Sequence, residues 1–428
     1  MKILWICNIM LPKISAHLSD EICNYGGWLV GMSDGLLQIP EIKLTVAFPM
    51  LNKESIISGK TDNLQFFGFP VKKRDSNSYS TETENNIKSI VSKAQPDVVH
   101  IFGTEYPHTL AAVNACEKLG IAKKAVINIQ GLVSIYSKHY YAGLSNSVIN
   151  KFTFRDFIKQ NNIRQQRNLF IKKGKYEIVA MQKVQHFIGR TDWDKACTSQ
   201  VNPFAKYHFC NETLRSEFYN HNWDINKCER HSIFLSQANY PIKGLHFVLE
   251  ALPEIIKKFP DTHLYVAGND ITKSDTFMSK IKISYYSTYI KKLIKKYNLE
   301  KHITFTGYLD EKAMCDRFLK AHTFVSPSSI ENSPNSLGEA MLLGVPCVSS
   351  DVGGVKNMMT HNEEGFVYQY DAPYMLAYYV CNIFSDDELA VKFSENAKKH
   401  AKITHNMGIN LKELIKIYEL IKNEKGDI

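Results

Sequence analysis

Residues 323–354 read TFVSPSSIENSPNSLGEAMLLGVPCVSSDVGG, and this stretch decides the fold. A short apolar run stops at Pro327, apolar residues then repeat at helical spacing after Pro334, and Gly344 precedes a second apolar run. Proline is favoured at the first position of a helix and glycine just after its last. The pattern predicts a β-α-β unit with Ser333 as the helix N-cap. The loop of such a unit lies at the carboxyl edge of a parallel sheet, where ligands usually bind.

Two carboxylates bracket the loop and the first helical turns. Glu331 precedes the predicted helix, and Glu339 lies eight residues further on. A helix N-terminus favours a diphosphate through its unpaired N–H groups. The two acids can instead accept hydrogen bonds from sugar hydroxyls, one from a ribose and one from a transferred hexose. Two solvated glutamates would show the same spacing, but the Ser-Pro-Asn-Ser cap and the Gly353-Gly354 turn favour a nucleotide-sugar site.

At these residues the chain resembles the family-four retaining glycosyltransferases of GT-B fold. Their C-terminal half carries a Glu-x7-Glu motif, a Gly-x-Pro-x-(Val/Ile) strand and a Gly-Gly turn. The matching residues here are Glu331, Glu339, the GVPCV run at 344–348 and the glycines at 353–354. The resemblance is densest from about residue 232 to 365. It implies an α/β protein with two Rossmann-like doubly wound domains facing a central cleft, and a C-terminal helix that crosses back to the first domain.

Apolar runs that alternate with helical stretches predict the same architecture in both halves of the chain. The predicted strands cover residues 2–7, 42–48, 96–101, 125–129, 186–189, 232–235, 263–267, 303–306, 323–326 and 345–349. A polar stretch at 211–230 marks the domain boundary. We therefore predict an acceptor-binding domain at 1–220, a nucleotide-sugar-binding domain at 221–405 and a final helix at 406–428.

Composition excludes some classes of protein. The first residues, MKILWICNIMLP, predict a buried strand rather than a signal peptide, because no small-residue cleavage site follows. No apolar run approaches the roughly 20 residues of a membrane span. The nine cysteines include no C-x-x-C pair, which predicts reduced thiols in a cytoplasmic protein rather than a disulfide framework or a zinc site.

The net charge of +9 is concentrated in two segments. Residues 151–175 hold eight Lys or Arg against a single Asp, with aromatic and aliphatic residues interleaved, and residues 280–296 repeat this composition. A basic, aromatic-rich segment can lie on an anionic membrane face. A surface helix that packs on its own domain is the alternative. Nucleic acid is a weaker candidate partner, because no nucleic-acid-binding module is recognisable.

The resemblance implies which residues hold the donor. Lys243, followed by Gly244, would neutralise the diphosphate, and Glu339 would hold the ribose. The family has an arginine five residues before this lysine, where this chain has Ala238. Either a nearby basic residue such as Arg190 substitutes for it, or the diphosphate is held more weakly. The start of the predicted helix completes the donor site with Ser333, Pro334, Asn335, Ser336 and Leu337.

Two turns with glycine complete the expected donor site. In the family, backbone groups after one strand read the nucleobase, and the matching residues are Gly307, Tyr308 and Leu309. A second loop, with Gly26 and Gly27, follows the first strand and opens a helix. In the family that loop lies above the donor phosphates. A core aromatic at 308 and an ordinary turn at 26–27 are the structural alternatives.

The first domain should supply groups that meet the transferred sugar and the acceptor. Some family members use a histidine at the position of Gln130, which can hydrogen-bond but cannot act as an acid or base at neutral pH. Glu105 and His108 lie in a neighbouring turn, and His139 lies in an aromatic cluster. We predict that these three bind the acceptor, with a structural role as the alternative for each.

Asp192 and Asp194 form a D-x-D pattern, which binds metal in a different glycosyltransferase fold. Here the pattern starts a helix, so we expect Asp192 to be an N-cap rather than a metal ligand. Arg190, at a strand end, is the better candidate for function. Neither a metal nor any other cofactor is expected.

Together these residues predict a retaining, metal-independent glycosyltransferase. A sugar would pass from a nucleoside diphosphate to a saccharide acceptor, which can be lipid-linked, in cell-surface polysaccharide assembly at the inner membrane face. Glu331, Lys243, Gln130 and Arg190 are the candidate catalytic residues. Two alternatives remain: a nucleotide-sugar 2-epimerase or phosphorylase on the same fold, and a binding subunit without turnover.

Overall fold

The computed structural model describes residues 1–18, 27–51, 53–72, 76–273 and 283–424. The chain forms two compact units. The first comprises Met1–Ile135, Leu169–Arg215 and His405–Ile428, and the second comprises Tyr136–Asn168 and Ser216–Thr404. Each unit is built on its own mainly parallel sheet.

The first unit contains an eight-stranded sheet with the order β3-β4-β2-β1-β5-β6-β7-β8. All neighbours are parallel except β3, which pairs antiparallel with β4 at one edge. Parallel pairing requires crossover connections, which the intervening helices provide. The strands are β1 (Lys2–Ile6), β2 (Lys43–Leu51), β3 (Ile57–Thr61), β4 (Leu64–Val71), β5 (Val98–Phe102), β6 (Ala125–Asn128), β7 (His186–Gly189) and β8 (Lys206–Phe209).

Helices cover both faces of this sheet. Successive strand residues point to opposite faces, and in β1 the side chains of Leu4 and Ile6 enter one apolar core while those of Ile3 and Trp5 enter another. A sheet with two buried faces is doubly wound. The helices up to β8 are α1 (Pro12–His17), α2 (Gly27–Leu37), α3 (Thr81–Ala94), α4 (Pro107–Lys118), α5 (Val133–His139), α6 (Asn146–Ile149), α7 (Phe154–Lys159), α8 (Ile163–Lys183) and α9 (Asp192–Val201). Of these, α6 and α7 belong to the second unit.

The second unit contains a six-stranded parallel sheet with the order β11-β10-β9-β12-β13-β14. Its strands are β9 (Glu229–Leu235), β10 (His263–Val266), β11 (Ile303–Phe305), β12 (Ala321–Ser326), β13 (Cys347–Ser350) and β14 (Gly365–Tyr368). Its helices are α10 (Leu245–Lys258), α11 (Tyr285–Lys296), α12 (Glu311–Lys320), α13 (Asn335–Leu343), α14 (Val355–Met358), α15 (Pro373–Ser385) and α16 (Asp387–Thr404).

The last helix, α17 (Met407–Asn423), belongs to the first unit. Its Tyr418 is fully buried, and the Tyr418 hydroxyl accepts a hydrogen bond of 2.9 Å from Trp5 Nε1 on β1. The same hydroxyl lies 2.6 Å from His100 Nδ1 on β5. The final helix is therefore part of the first unit's core, although residues 216–406 separate it from Arg215 in the chain.

The predicted fold class, two Rossmann-like doubly wound domains with a returning C-terminal helix, is confirmed. The ten predicted strands all exist, with ends that differ by a few residues. Sequence reasoning missed four further strands, β3, β4, β8 and β14. Two of them, β3 and β8, are edge strands whose side chains are half-buried or exposed, so their apolar pattern is weak.

The limits of the two units lie within a few residues of the predicted domain limits, except for one segment. Residues 136–168 group with the second unit, whereas the prediction put them in the first domain. The reason is a set of long-range contacts with the second unit. Thr153 Oγ1 donates to the carbonyl of Ile283 at 2.7 Å, and His246 Nε2 lies 3.1 Å from the carbonyl of Ala142. Within the described ranges, no helix has the length and apolar character needed to cross a bilayer.

Candidate functional site

The strand order of the second unit defines where a ligand would lie. Within the second sheet, the chain passes first through β9 and then outward through β10 and β11. It then returns to the other side of β9 as β12. The gap between the carboxyl ends of β9 and β12 is therefore a topological switch point, the usual ligand position in open α/β sheets. Lys243 follows β9 and Glu331 follows β12, so both predicted residues lie at this point.

Lys243 and Glu331 form an ion pair there. Lys243 Nζ lies 2.5 Å from Glu331 Oε1, and the hydroxyl of Ser328 donates to the same oxygen at 2.8 Å. The side chains of Lys243 and Glu331 are both mostly shielded from solvent. Burial alone would lower the pKa of Lys243, but the charge of Glu331 outweighs it and raises that pKa above its ordinary value. Lys243 is therefore an ammonium ion.

Two glycine positions bring these side chains together. Gly244 has a φ of 72° and forms the N-cap of α10, and a Cβ atom there would lie 2.0 Å from the carbonyl oxygen of Pro327. Gly353 has a φ of 51°, and a Cβ atom there would lie 1.8 Å from the carbonyl oxygen of Glu331. The N–H of Gly354 donates to that carbonyl at 3.2 Å. The Gly-Gly turn therefore fixes the backbone of Glu331.

The helix after Glu331 starts one residue later than predicted. Pro334 is the N-cap of α13, and the expectation that Ser333 would cap it is wrong, because the Ser333 hydroxyl is directed to Met358 Sδ at 3.4 Å. Asn335 and Ser336 form the first turn, are half-exposed and carry N–H groups without intrahelical acceptors. Glu339 lies in the second turn and is 4% exposed.

The remaining residues of the helix and the strand-end turn lie at the same sheet edge. Leu337 is fully buried beneath the first turn of α13. Gly307, after β11, exchanges two backbone hydrogen bonds of 3.0 and 3.1 Å with Gly268, after β10. Tyr308 is 56% exposed, so it is not a core aromatic, and Leu309 is half-buried. The Tyr308 ring is available for stacking against a planar ligand.

The position of the missing arginine and the Gly26-Gly27 loop have a different setting. Ala238, where the family has arginine, is 1% exposed, so a buried methyl group occupies that position. Gly27 opens α2, and a Cβ atom there would lie 2.1 Å from Arg215 Cγ. Gly26 lies outside the described residues.

In the first unit, Gln130 and Arg190 share one partner that sequence reasoning missed. Glu212, which is 5% exposed, forms an ion pair with Arg190 and accepts a hydrogen bond from Gln130 Nε2. Gln130 Nε2 also donates to Asn128 at the end of β6. The charge of Arg190 is therefore balanced within the unit, which weighs against its role as a substitute for the missing arginine. No signal marked Glu212, since it lies in the polar stretch expected to be a linker.

A second buried cluster follows β5. Glu177 on α8 accepts from the hydroxyl of Thr104 at 2.6 Å and from two backbone N–H groups at the start of α5, each at 2.9 Å. Burial raises the pKa of the neighbouring Glu105 to about 7, and the charge of Glu177 adds to this shift while Lys173 opposes it. Burial, together with Lys173, lowers the pKa of His108 to about 4. At neutral pH His108 is therefore uncharged.

His108 lines a cavity of about 230 Å³ in the first unit. The cavity lies between the ends of β2 and β4 and the start of α4, and hydroxyl groups and aromatic rings line it. The rings of Tyr106 and His108 stack with centroids 5.4 Å apart. Lys172 Nζ donates to the hydroxyl of Ser78 on the cavity wall at 2.6 Å. The predicted acceptor residue His108 thus lines a hollow of monosaccharide size.

His139 does not share this cavity. It ends α5 and belongs to the second unit, where the Ser329 hydroxyl donates to its carbonyl at 3.3 Å. Burial and Lys138 lower the pKa of His139. The His139 backbone therefore lies near the loop that carries Glu331.

The D-x-D pattern forms a capping box, but at a different residue from the one predicted. Thr191 is the N-cap of α9 and Asp194 completes the box, so the assignment of the cap to Asp192 is wrong by one position. Asp194 is fully buried and also accepts from the N–H of Arg190 at 3.1 Å. Among the described residues, no group of three or more His, Cys, Asp or Glu side chains could hold a metal ion.

Residues 217–400, which contain the whole Lys243–Glu331 site, match the model of the family "Glycosyl transferases group 1". This part of the chain is a group 1 glycosyl transferase domain. The predicted resemblance is thereby confirmed for the half that carries the Glu-x7-Glu motif.

Curated relatives of the glycosyl transferase domain match in the same way. The chain is 29% identical over 189 residues to YtcC of Bacillus subtilis (strain 168), which is itself only provisionally named a glycosyltransferase. That match covers 44% of each protein. The chain is also 22% identical over 194 residues to a phosphatidyl-myo-inositol mannosyltransferase of Mycobacterium tuberculosis (strain H37Rv). This second match covers 44% of this chain and 47% of that protein. The chain thus spans about half the length of the curated relatives it matches.

Solved structures match over the full chain. Sucrose-phosphate synthase from Thermosynechococcus elongatus has a TM-score of 0.68 at 14% identity, with 98% of this chain and 99% of that chain covered. Anabaena HepE in complex with UDP has a TM-score of 0.65 at 14% identity, with 98% and 100% covered. At this identity the likeness concerns the fold, which is GT-B.

Proposed function

We propose that the protein is a retaining glycosyltransferase that moves a sugar from a nucleoside diphosphate to a saccharide acceptor. The observation that carries this proposal is the Lys243–Glu331 ion pair beside the N-terminus of α13, at the switch point of the second sheet. The family match over residues 217–400 and the UDP complex of HepE, a protein of the same fold, support a nucleotide-sugar donor.

Each donor group has a partner in the second unit. Glu339, in the second turn of α13, holds the ribose hydroxyls, and Tyr308 with the Gly307 and Leu309 backbone contacts the base. Glu331 accepts from hydroxyls of the transferred sugar. Lys243 has three N–H donors, and with one of them on Glu331 and another shared with Tyr240 it keeps a donor for the diphosphate. The first-turn N–H groups of Asn335 and Ser336, next to Ser333 and Pro334, add to this positive field.

This arrangement suits a transfer with retained configuration. The bond between the anomeric carbon and the diphosphate oxygen breaks, and the bond to the acceptor oxygen forms on the same face of the sugar. The leaving phosphate accepts the acceptor proton. Lys243 and the N-terminus of α13 stabilise the charge that develops on the phosphate, and a positioned donor of this kind contributes about 3–4 kcal/mol. Positive charge from the protein then takes the place of a metal ion.

The first unit supplies the acceptor groups. His108, which lines the cavity of about 230 Å³, and the neighbouring Glu105 bind the acceptor saccharide, and Gln130 and Arg190 at neighbouring strand ends are the candidate catalytic residues of this unit. His139 acts from the second unit. The mycobacterial relative is named for mannosyl transfer to phosphatidyl-myo-inositol, which supports a lipid-linked acceptor here. A peripheral position at the inner membrane face, in cell-surface polysaccharide assembly, belongs to the same proposal.

A second candidate function is a nucleotide-sugar-binding protein without turnover. Two observations favour it: Ala238 stands where the family has a diphosphate-binding arginine, and Arg190 is engaged by Glu212. Donor hydrolysis separates the two functions. A transferase slowly releases nucleoside diphosphate from its donor without acceptor, and Glu331→Ala abolishes this release. A binding protein releases none while still binding the donor.

Retention is tested on the product. Proton NMR of the glycoside formed from an α-linked donor and a model saccharide acceptor should show the α-anomer. A β-anomer would contradict the retaining mechanism and leave the donor site intact.

A further inference from the structure

Four large apolar side chains lie in solvent on one short segment of the second unit. Phe152, Phe154, Phe157 and Ile158 are 59%, 65%, 66% and 63% exposed. The rings of Phe152 and Phe157 pack against each other with centroids 6.3 Å apart. We call residues 151–165 the α7 surface. Clustered exposed apolar groups of this size mark an interaction site rather than ordinary surface.

The α7 surface is held firmly rather than being a loose loop. Thr153 and Asp156 form a capping box at the start of α7. Asp156 is fully buried and also accepts from the N–H of Tyr285 at 2.7 Å, and Thr153 Oγ1 donates to the carbonyl of Ile283 at 2.7 Å. Buried hydrogen bonds to the N-terminal end of α11 therefore keep the apolar side chains directed outward.

The charge around these side chains is positive. Lys151, Lys159 and Arg164 are exposed, and Asp156 is the only acid in residues 136–168, where it pairs with Arg155 at 3.1 Å. The helix α11, which begins beside the α7 surface, carries four more lysines at 291, 292, 295 and 296. Residues 151–168 of the first basic segment thus lie in the same unit as residues 283–296 of the second.

A hollow lies between α7 and the start of α8. Its volume is about 370 Å³, and apolar and amide side chains line it, including those of Phe157, Ile158 and Asn162. An apolar group can therefore enter beside the exposed rings.

We propose that the α7 surface docks the protein on an anionic lipid bilayer. The phenylalanine rings and Ile158 enter the boundary between headgroups and acyl chains, while Lys151, Lys159 and Arg164 contact lipid phosphates. A second copy of the chain fits less well, because a symmetric interface would set these cations against their own copies. This inference depends on the proposed function in one respect, which is the choice of a membrane as the partner.

The test is co-sedimentation with phosphatidylcholine vesicles, with and without phosphatidylglycerol. The double variant Phe154→Ser/Phe157→Ser should weaken partition at least about tenfold. Lys151→Gln/Lys159→Gln should weaken it severalfold, and only for vesicles that contain phosphatidylglycerol. Phe204→Ser is the matched control, because Phe204 is 94% exposed but lies in the first unit. The control should bind as the wild type does.

Folding and function are followed separately. All the substituted side chains are exposed, so melting temperatures and donor hydrolysis in solution should stay unchanged. Equal vesicle binding by wild type and the Phe154/Phe157 variant would overturn the inference. So would a wild-type dimer in light scattering that this variant converts to a monomer without any vesicle binding. Vesicle binding without donor hydrolysis would instead contradict the proposed function and leave the inference standing.

Discussion

The carboxyl edges of the two sheets both collect charged side chains, but they organise them differently. In the second unit, Lys243 and Glu331 pair beside an open helix N-terminus, and the half-exposed first turn of α13 leaves N–H groups for a ligand. In the first unit, Glu212 pairs with Arg190 and also binds Gln130. The Lys243–Glu331 site of the second unit leaves N–H donors for an anion. The Arg190–Glu212 pair of the first unit uses its donors within that unit.

This difference suits the edge of the second sheet to binding a charged ligand and the edge of the first sheet to positioning a neutral ligand. A diphosphate requires N–H donors and positive potential, and the helix N-terminus supplies these together with the donor capacity of Lys243 that Glu331 leaves over. An acceptor saccharide requires fixed hydrogen-bonding groups without strong net charge, which a balanced pair such as Arg190–Glu212 can hold in place. The two edges therefore match the two substrates of the proposed reaction.

The largest effect is expected from removing the charge balance of the Arg190–Glu212 pair in the first unit. Glu212→Ala leaves Arg190 buried without its counter-charge, which should cost about 3–5 kcal/mol of unfolding free energy. Urea denaturation measures it. Glu413→Ala, at an exposed pair with Lys416 on α17, is the control and should cost less than about 1 kcal/mol. Similar losses for the two variants would show that the Arg190–Glu212 pair is not a structural requirement.

The next effect concerns catalysis in the second unit. Lys243→Met removes the cation at the switch point and should lower the rate of nucleoside diphosphate release about 10²–10³-fold. Lys257→Met, at an exposed position on α10, serves as the control and should keep the wild-type rate. An unchanged rate in Lys243→Met would mean that this ammonium does not stabilise the leaving group.

A glycine comparison sharpens the role of the Gly-Gly turn. Gly353→Ala and Gly120→Ala both place a side chain at positive φ, 51° and 69°. Only the first clashes, because its Cβ would lie 1.8 Å from the Glu331 carbonyl oxygen, while nothing lies within 4 Å at Gly120. Gly353→Ala should therefore lose about 1–3 kcal/mol more stability. It should also weaken donor binding, which Gly120→Ala leaves intact. Equal melting temperatures would argue against a rigid Glu331 backbone.

The smallest effect is a pH dependence in the first unit. The folded-state pKa of Glu105, about 7, lies above its ordinary value of 4.5, so the folded protein retains the proton as pH rises through this window. Glu105 thus lowers stability progressively from about pH 4.5 to pH 7 and above. Glu105→Gln should raise the melting temperature at about pH 8, by the equivalent of about 1–2 kcal/mol, and change it little at about pH 5.

The control for this prediction is Glu117→Gln, at an exposed carboxylate paired with Lys183 on the surface. It should give the same small change at both pH values. A stabilisation by Glu105→Gln that does not vary with pH would show that the Glu105 carboxylate is not held protonated by its surroundings.

The predictions from sequence agree best with the structure where the candidate site residues lie close together in the chain. The loop, helix and strand at 323–354 lie within one β-α-β unit, so the apolar pattern and the turn residues were enough to predict the switch point and both acids. The pair with Lys243 spans 88 residues, yet both partners follow predicted strands. The one-residue errors at Ser333 and Asp192 reflect helix caps, whose exact position depends on side-chain contacts that sequence does not show.

The first unit could not be predicted to the same depth. Glu212 meets Gln130 82 residues away in the chain, and Glu177 meets Thr104 73 residues away, and neither acid belongs to a local motif. The grouping of residues 136–168 with the second unit also depends on long-range contacts, such as the bond between Thr153 and Ile283. The role proposed for each site residue stays a prediction in both units.

Donor binding tests the central claim most directly. Sugars of uridine, guanosine and adenosine diphosphate should be titrated against wild type, Lys243→Met and Glu339→Gln while the melting temperature is recorded. At least one donor should raise the wild-type melting temperature as the logarithm of its concentration once above Kd. Both variants should lose most of that shift. A shift that survives in both variants, or no shift with any donor, would contradict a nucleotide-sugar site at the carboxyl edge of the second sheet.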